Sequence, residues 1–426
     1  MKRTLALLLV ALMTLGVCVV TASAETTTVK FWSHQNTAWN AAWEELIAEF
    51  EAANPDIDIE YTTFPYADFE AKIQTSLMAG DPGADVYEAW GGWMLDFASA
   101  GALSEVPDKF MADLLKDSYA PVLGTLQYDG KYYGAPLEFN AGYGGMVVNK
   151  KLFEENGISY PTTWQEVLDI SKKVAVQNGD IMEMRGLEYA GMDTLYFNWQ
   201  SMILQKGGKL FDDQGRLDFN NPIAADCMKE LVSYVTEDHI TNTDSLTAAQ
   251  SVVEHGFVCM DECYMAINGP WIIADCEDTF GLTYGTDFEY IAQPPFVDGA
   301  EQKWVAETGW SMCVPKATKV ADAAWKFVEF ALKPDNLLKH NLACAQIPPR
   351  ASVAKDPAYL EGMPAMKPVV DILDKAVYAG SYNTGVVKTY MAQMYISLCS
   401  NDGTYASVED ACKKLTEDIN ANVKYY

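Results

Sequence analysis

The chain has 426 residues and carries 30 Lys and Arg against 59 Asp and Glu, a formal charge of −29. At roughly 150 residues per domain that length suggests two or three domains, and an apolar share of 49% is ample for a packed core, which argues against intrinsic disorder. The negative field excludes nucleic acid and anionic lipid, whose phosphates need Lys and Arg, and it disfavours an anionic ligand outside a local basic pocket.

The chain opens Met1-Lys2-Arg3, runs through apolar residues from Leu5 to Val20, and reaches Ala22-Ser23-Ala24 before Glu25. A basic start, a short apolar stretch and small residues before the cut describe a secretory signal over residues 1–24. Leu15-Gly16-Val17-Cys18 comes close to the pattern in which a cysteine is acylated, though Val17 is larger than the Gly or Ala usual there. Free secretion is the preferred reading and lipid anchoring at Cys18 the other. Both place the protein at the cell envelope, in the periplasm or on the extracellular face. No later stretch approaches the ~18 apolar residues of a membrane helix. Eight cysteines follow the signal, from Cys227 to Cys412; most are expected to be buried thiols, and their pairing is not readable from spacing.

In chain order, Val29–Trp32 reads as a strand. Trp39, Trp43, Leu46, Ile47 and Phe50 then recur at helical spacing, until Asn54-Pro55 stops them. Ile57–Tyr61 alternates as a second strand, Phe69, Ile73 and Leu77 mark a helix that ends near Gly80, and Ala84–Ala89 is a third strand. Such alternation predicts a mainly parallel sheet with right-handed crossovers. Residues 130–140 loosen into a Tyr/Gly/Pro-rich connection, Gly144–Asn149 follows, and helical periods run to about Gln200. Tyr264–Ile267 is a strand leading into Asn268-Gly269-Pro270-Trp271. After Gln293-Pro294-Pro295, Gly309–Pro315 reads as a buried strand, and the remainder is mostly helical, with Ala323–Leu332 the clearest case. The chain is expected to leave one lobe, build a second and return.

Several segments, in this order, resemble the extracellular solute-binding proteins of ABC importers, in the carbohydrate-binding family that includes maltose-binding protein. They are Val29–Trp32, Asn54-Pro55-Asp56-Ile57, Met78-Ala79-Gly80 before Ala84-Asp85-Val86, Asn149-Lys150 before Phe153, Pro161-Thr162-Thr163-Trp164, Met265–Trp271, Trp325-Lys326-Phe327 and Pro348-Pro349-Arg350. The resemblance implies an α/β fold of the type II periplasmic-binding kind, with two lobes, hinge strands and an interlobe cleft that closes on its ligand. Residues 25–137 would be the first part of lobe 1 and 138–302 the first part of lobe 2. Residues 303–352 would return to lobe 1, and 353–426 would form a helical part lying mainly on lobe 2.

Sugars present apolar C–H faces and a rim of hydroxyls, which proteins meet with aromatic rings and with polar side chains. Candidates are therefore such residues at strand ends. Trp32 and His34 follow the first strand, and Glu88, Trp90 and Trp93 the third. Asn140 lies at the first crossover, where the family often carries a carboxylate, so an acidic contact is not assigned there. Tyr196 matches a sugar-stacking position, with burial in the second lobe the competing reading, and Trp271 matches the family's stacking tryptophan. Glu307 and Trp310 precede the returning strand, and Arg350 would clamp a hydroxyl. Trp39, Trp43, Trp164 and Trp325 sit on periodic apolar faces and are expected in the core.

His255, Cys259 and Cys263 are spaced like zinc ligands on a helix, but a strand starting at Tyr264 breaks that face. Asp212-Asp213-Gln214-Gly215 lacks the ligand spacing of a calcium loop and reads as a hairpin turn. There is no phosphate loop, nucleophile elbow or zinc-protease pair. The expected function is a non-enzymatic, monomeric receptor without a cofactor. It would bind an oligosaccharide and hand it to the membrane permease of an ABC importer. The rival readings are a secreted glycosidase or lyase with an aromatic cleft, and the same receptor binding iron, a polyamine or a glycerol phosphate ester.

Overall fold

The computed structural model describes residues 26–426 apart from 81, 141–143, 180, 190, 247–255 and 257. Its strands are β1 Thr27–His34, β2 Ile57–Phe64, β3 Val86–Trp90, β4 Gln127–Tyr128, β5 Lys131–Tyr132, β6 Ala135–Pro136 and β7 Gly145–Asn149. They continue as β8 Val176–Asn178, β9 Ile181–Tyr189, β10 Cys263–Ile267, β11 Phe288–Ala292, β12 Trp304–Ala306, β13 Trp310–Cys313 and β14 Ala376–Tyr378.

The first sheet has the order β2-β1-β3-β13-β6. β1 pairs in parallel with β2 and β3, as the strand–helix–strand alternation predicts, while β13 returns antiparallel between β3 and β6. The helix Thr37–Ala53 begins where the Asn36 side chain accepts the Trp39 N–H, a cap for one of the unpaired donors of the first turn. It ends at Asn54, which precedes Pro55. Its Trp39, Trp43, Leu46, Ile47 and Phe50 are buried against the sheet, each side chain contributing roughly 1.5–3 kcal/mol by leaving water.

The second sheet has the order β11-β7-β10-β9-β8 and is mixed, with only β9 and β10 parallel. Here the structure corrects the sequence reading. Helical periods were expected from residue 149 to about 200, but β8 and β9 occupy 176–189 before the helix Met192–Gln205. β9 carries Arg185 and Glu188, buried and 2.9 Å apart, besides the exposed Glu183, and these charges inside the strand obscure its apolar pattern. The short strands β11, β12 and β14 were likewise unforeseen.

Buried apolar residues gather into two cores. One draws on Val29 to Leu137 and Trp310 to Val353, the other mainly on Phe139 to Ala306 and Ala345 to Ile419. Trp39, Trp43, Trp164 and Trp325 all lie in them. Asp212 accepts the N–H groups of Gln214 and Arg216 within a turn closed by the Phe211–Leu217 bridge, and Gly215 supplies the positive φ of 76° that the turn needs. The eight cysteines from Cys227 to Cys412 are free, six of them buried. Among the described residues no helix is long and apolar enough to cross a membrane.

Candidate functional site

The first sheet brings the carboxyl ends of β1 and β3 beside the start of β13, because β13 runs the opposite way with Trp310 opposite Trp90. His34, Trp90 and Trp310 therefore meet at one edge, where ligands of open α/β sheets bind. Trp310 is the hub. His34 stacks on it at 4.2 Å, and Trp90, Trp93, Tyr66 and Trp39 surround it at 5.4, 5.8, 5.9 and 6.1 Å between ring centroids. The tryptophans are nearly buried, whereas Tyr66 is 42% exposed and forms the open rim of this aromatic nest. Gly91 is required here: a Cβ on it would fall 2.1 Å from the Thr308 carbonyl oxygen. The same closeness lets the Gly91 N–H donate to Gly309 O at 3.0 Å, fastening β3's end to the segment before Trp310.

Beneath the rings Glu88 is fully buried. One carboxylate oxygen lies 2.6 Å from His34 Nδ1, and the other accepts the Trp43 indole N–H at 2.8 Å. Glu138, also buried, accepts the backbone N–H of Trp310 at 2.7 Å. Burial pushes the Glu138 carboxyl up to about 8, against the pull of that N–H, and the charges of Glu88 and Glu307 add to the rise. Asn140 is buried next to Gly309.

Glu307 stands between β12 and β13, where the chain passes from one core to the other. It accepts from Thr384 Oγ1 at 2.6 Å and from Lys388 Nζ at 2.7 Å, and Asp193 lies 3.3 Å from the same ammonium. Burial raises the Glu307 carboxyl and the Lys388 charge opposes this. Lys388 also lies 5.8 Å from the centre of the Trp90 ring, although its helix, Thr384–Ser400, packs in the second core.

The remaining candidates stand apart from the nest. Trp32 is half-buried against Phe64 and Tyr87. Tyr196 is fully buried in the second core, its hydroxyl 3.0 Å from that of Tyr382 and accepting from Gln200. Trp271 is half-buried at the start of the helix Ile272–Phe280, its ring over Gly269, where a Cβ would fall 1.8 Å away. Arg350 is turned to the end of the helix Asp108–Leu114, with Nη1 2.9 Å from Asp113 and Nε 2.7 Å from Asp117. His255, the first of the three considered as zinc ligands, lies outside the described residues, and Cys263 is buried in β10.

Sequence reasoning did not single out Tyr66, Glu138, Asp193 or Lys388. Tyr66 had a usable signal, since it follows Pro65 just past β2, at the same sheet edge as His34 and Trp90. Lys388 had one too: it shares the buried helical face of Thr384, Val387, Met391 and Tyr395. A lysine on an apolar face implies a partner.

Comparison with known proteins agrees with this architecture. MalE3 of T. maritima with maltose bound superposes with a TM-score of 0.77 at 17% identity, covering 93% of this chain and 100% of that one. The GacH receptor of Streptomyces glaucescens gives 0.76 at 22% identity, covering 93% and 98%. Both share the two-lobed fold. A Brucella abortus protein named only as a binding protein is 26% identical over 296 residues, 69% of each chain. A model of the bacterial extracellular solute-binding proteins matches residues 34–337, a span that starts at His34 and takes in Glu88, Trp271, Glu307 and Trp310. The chain belongs to the bacterial extracellular solute-binding protein family.

Proposed function

We propose that this receptor binds an oligosaccharide between its lobes and delivers it to the membrane subunits of an ABC importer. The observation that carries the reading is the aromatic nest around Trp310. It offers planar apolar faces with indole and imidazole N–H and N groups at their edges, which is the chemistry a sugar ring presents in reverse. Trp90, Trp93, Trp310 and the exposed Tyr66 would form the platform of lobe 1, His34 a hydroxyl contact beside it, and Trp271 the stacking ring of lobe 2. Residues 25–137 with 303–352, and 138–302 with 353–426, would be the two lobes; the two apolar cores draw mainly on these segments, with Trp304–Ala306, Ala345 and Ile347 packing in the second core. A neutral ligand suits the site's charge: Glu88 and Glu307 lie around it, and Lys388 is already paired with Glu307 and Asp193. Known neighbours of the fold hold maltose and acarbose.

The same geometry weighs against a glycosidase. General acid–base hydrolysis needs two carboxyl groups that reach the glycosidic oxygen and the ring, whereas Glu88 and Glu307 are buried and occupied by protein donors, and Glu138 is buried with one oxygen on the Trp310 N–H. Secretion, delivery to a permease and the monomeric state belong to this same proposal. A thermal-shift screen of the full chain against an oligosaccharide library tests it, because a bound ligand raises the melting temperature by mass action. A rise with one sugar series, without product release, is the expected result. Shifts confined to iron, polyamines or glycerol phosphate esters would overturn the ligand class, and product release would overturn the non-enzymatic assignment.

A further inference from the structure

Glu88 is the best satisfied carboxylate of the nest, yet it has no exposure through which to touch a ligand. As a carboxylate it only accepts, and it receives two donors on two separate oxygens. The Trp43 indole can only donate, so the contact at Oε2 is fixed. At Oε1 the partner is His34 Nδ1 at 2.6 Å, and facing an acceptor-only oxygen that nitrogen must carry a proton. The imidazole has no freedom to turn away, being stacked on Trp310 with planes 10° apart and edge-on to Trp39 at 4.7 Å. Its other nitrogen, Nε2, has no hydrogen-bond partner among the described residues.

We propose that Glu88 is a positioning residue for His34: it fixes a proton on Nδ1, so that the uncharged imidazole presents Nε2 at the nest as a hydrogen-bond acceptor. The site then selects a ligand whose group at this point donates, such as a sugar hydroxyl, over one that only accepts, such as an ether or a glycosidic oxygen. This rests on the oligosaccharide reading for its ligand, while the tautomer itself does not.

Glu88→Gln separates the two roles. Glutamine has a single acceptor oxygen for two donors. If that oxygen stays with Trp43, the amide N–H₂ faces His34 Nδ1 and the imidazole changes to the Nε2–H form, turning the acceptor at the nest into a donor. Nitrogen NMR of the full chain labelled in its four histidines, assigned with His34→Phe, reads this without any ligand. Wild type should show an unprotonated Nε2 on His34 and Glu88→Gln a protonated one. Calorimetry with the sugar found by the screen should then show about tenfold weaker binding for Glu88→Gln and for His34→Phe. The double variant should lose no more than either alone, since both act through one nitrogen.

An imidazolium or an Nε2–H tautomer in wild type, an unchanged tautomer in Glu88→Gln, or full affinity in His34→Phe would each overturn the proposal. If Glu88→Gln does not fold, the wild-type tautomer and the His34→Phe affinity decide it. If no sugar binds wild type, the oligosaccharide reading fails, and the NMR comparison still decides whether Glu88 sets the tautomer.

Discussion

The imidazole of His34 lies flat on the indole of Trp310, 4.2 Å away and within 10° of parallel, so a residue leaving β1 and one entering β13 share a single face. Trp310 is 8% exposed and ringed by five side chains. Trp310→Ala should therefore leave a cavity in the middle of the nest and cost about 3–5 kcal/mol of stability in urea unfolding, with oligosaccharide binding lost as well. A variant as stable as wild type would show that the ring is not the hub of this packing.

Trp271 makes the contrasting case. Half-buried and seated over Gly269, it supports little of the second core. Trp271→Ala should leave the unfolding midpoint nearly unchanged while weakening oligosaccharide binding well beyond tenfold, more than about 1.4 kcal/mol, in a calorimetric titration. Unchanged affinity would remove Trp271 from the site.

Arg350 has the opposite profile. With its guanidinium committed to Asp113 and Asp117, Arg350→Leu should cost about 1–3 kcal/mol of stability through lost charged hydrogen bonds, with affinity unaltered. Weakened binding in a variant of wild-type stability would return Arg350 to the ligand.

Two buried groups should tilt the stability profile in opposite directions. Burial holds His340 down to about 3, against 6.5 when unfolded. Between those values the unfolded chain binds more protons, so stability falls as the solution is acidified. Burial lifts Glu138 to about 8 from 4.5, so between those values the folded chain binds more protons and stability falls as pH rises. Glu188, raised by burial to about 7, adds to the second slope. Urea titrations across pH should show His340→Asn flattening the acid limb. Glu138→Gln should flatten part of the limb between 4.5 and 8, where every tenfold difference in proton affinity between the folded and unfolded chain is worth about 1.4 kcal/mol. Parallel profiles for wild type and Glu138→Gln would mean that Glu138 ionises normally in the folded protein.

Much of the first sheet and its helices was legible because its signals are local. Trp39 to Phe50 mark a helix by spacing, Asn54-Pro55 stops it, and Ile57–Tyr61 alternates. β9 was illegible because Arg185 and Glu188, satisfied only in three dimensions, look like surface charges in one. Strand-end logic picked out His34, Glu88, Trp90, Trp93 and Trp310, which the fold does bring together, since the direction of a strand fixes which of its residues reach the sheet edge. It could not tell that Glu88 points beneath the rings rather than across them. Nor could it tell that Arg350 faces Asp113 and Asp117, because those partners lie more than two hundred residues away. Lys388 is the same case seen from the second core.

The insertion of β13 between β3 and β6 bears on how the protein comes into being. The ribosome, or any pore that passes the chain from its amino end, delivers Trp90 and Ala135 long before Trp310, yet the first sheet remains split until that late strand arrives. Until then the edges of β3 and β6 stay open, and the hydrogen-bonding groups that β13 will occupy face water. The pairing that joins β3 to β6 therefore needs a strand more than three hundred residues into the chain.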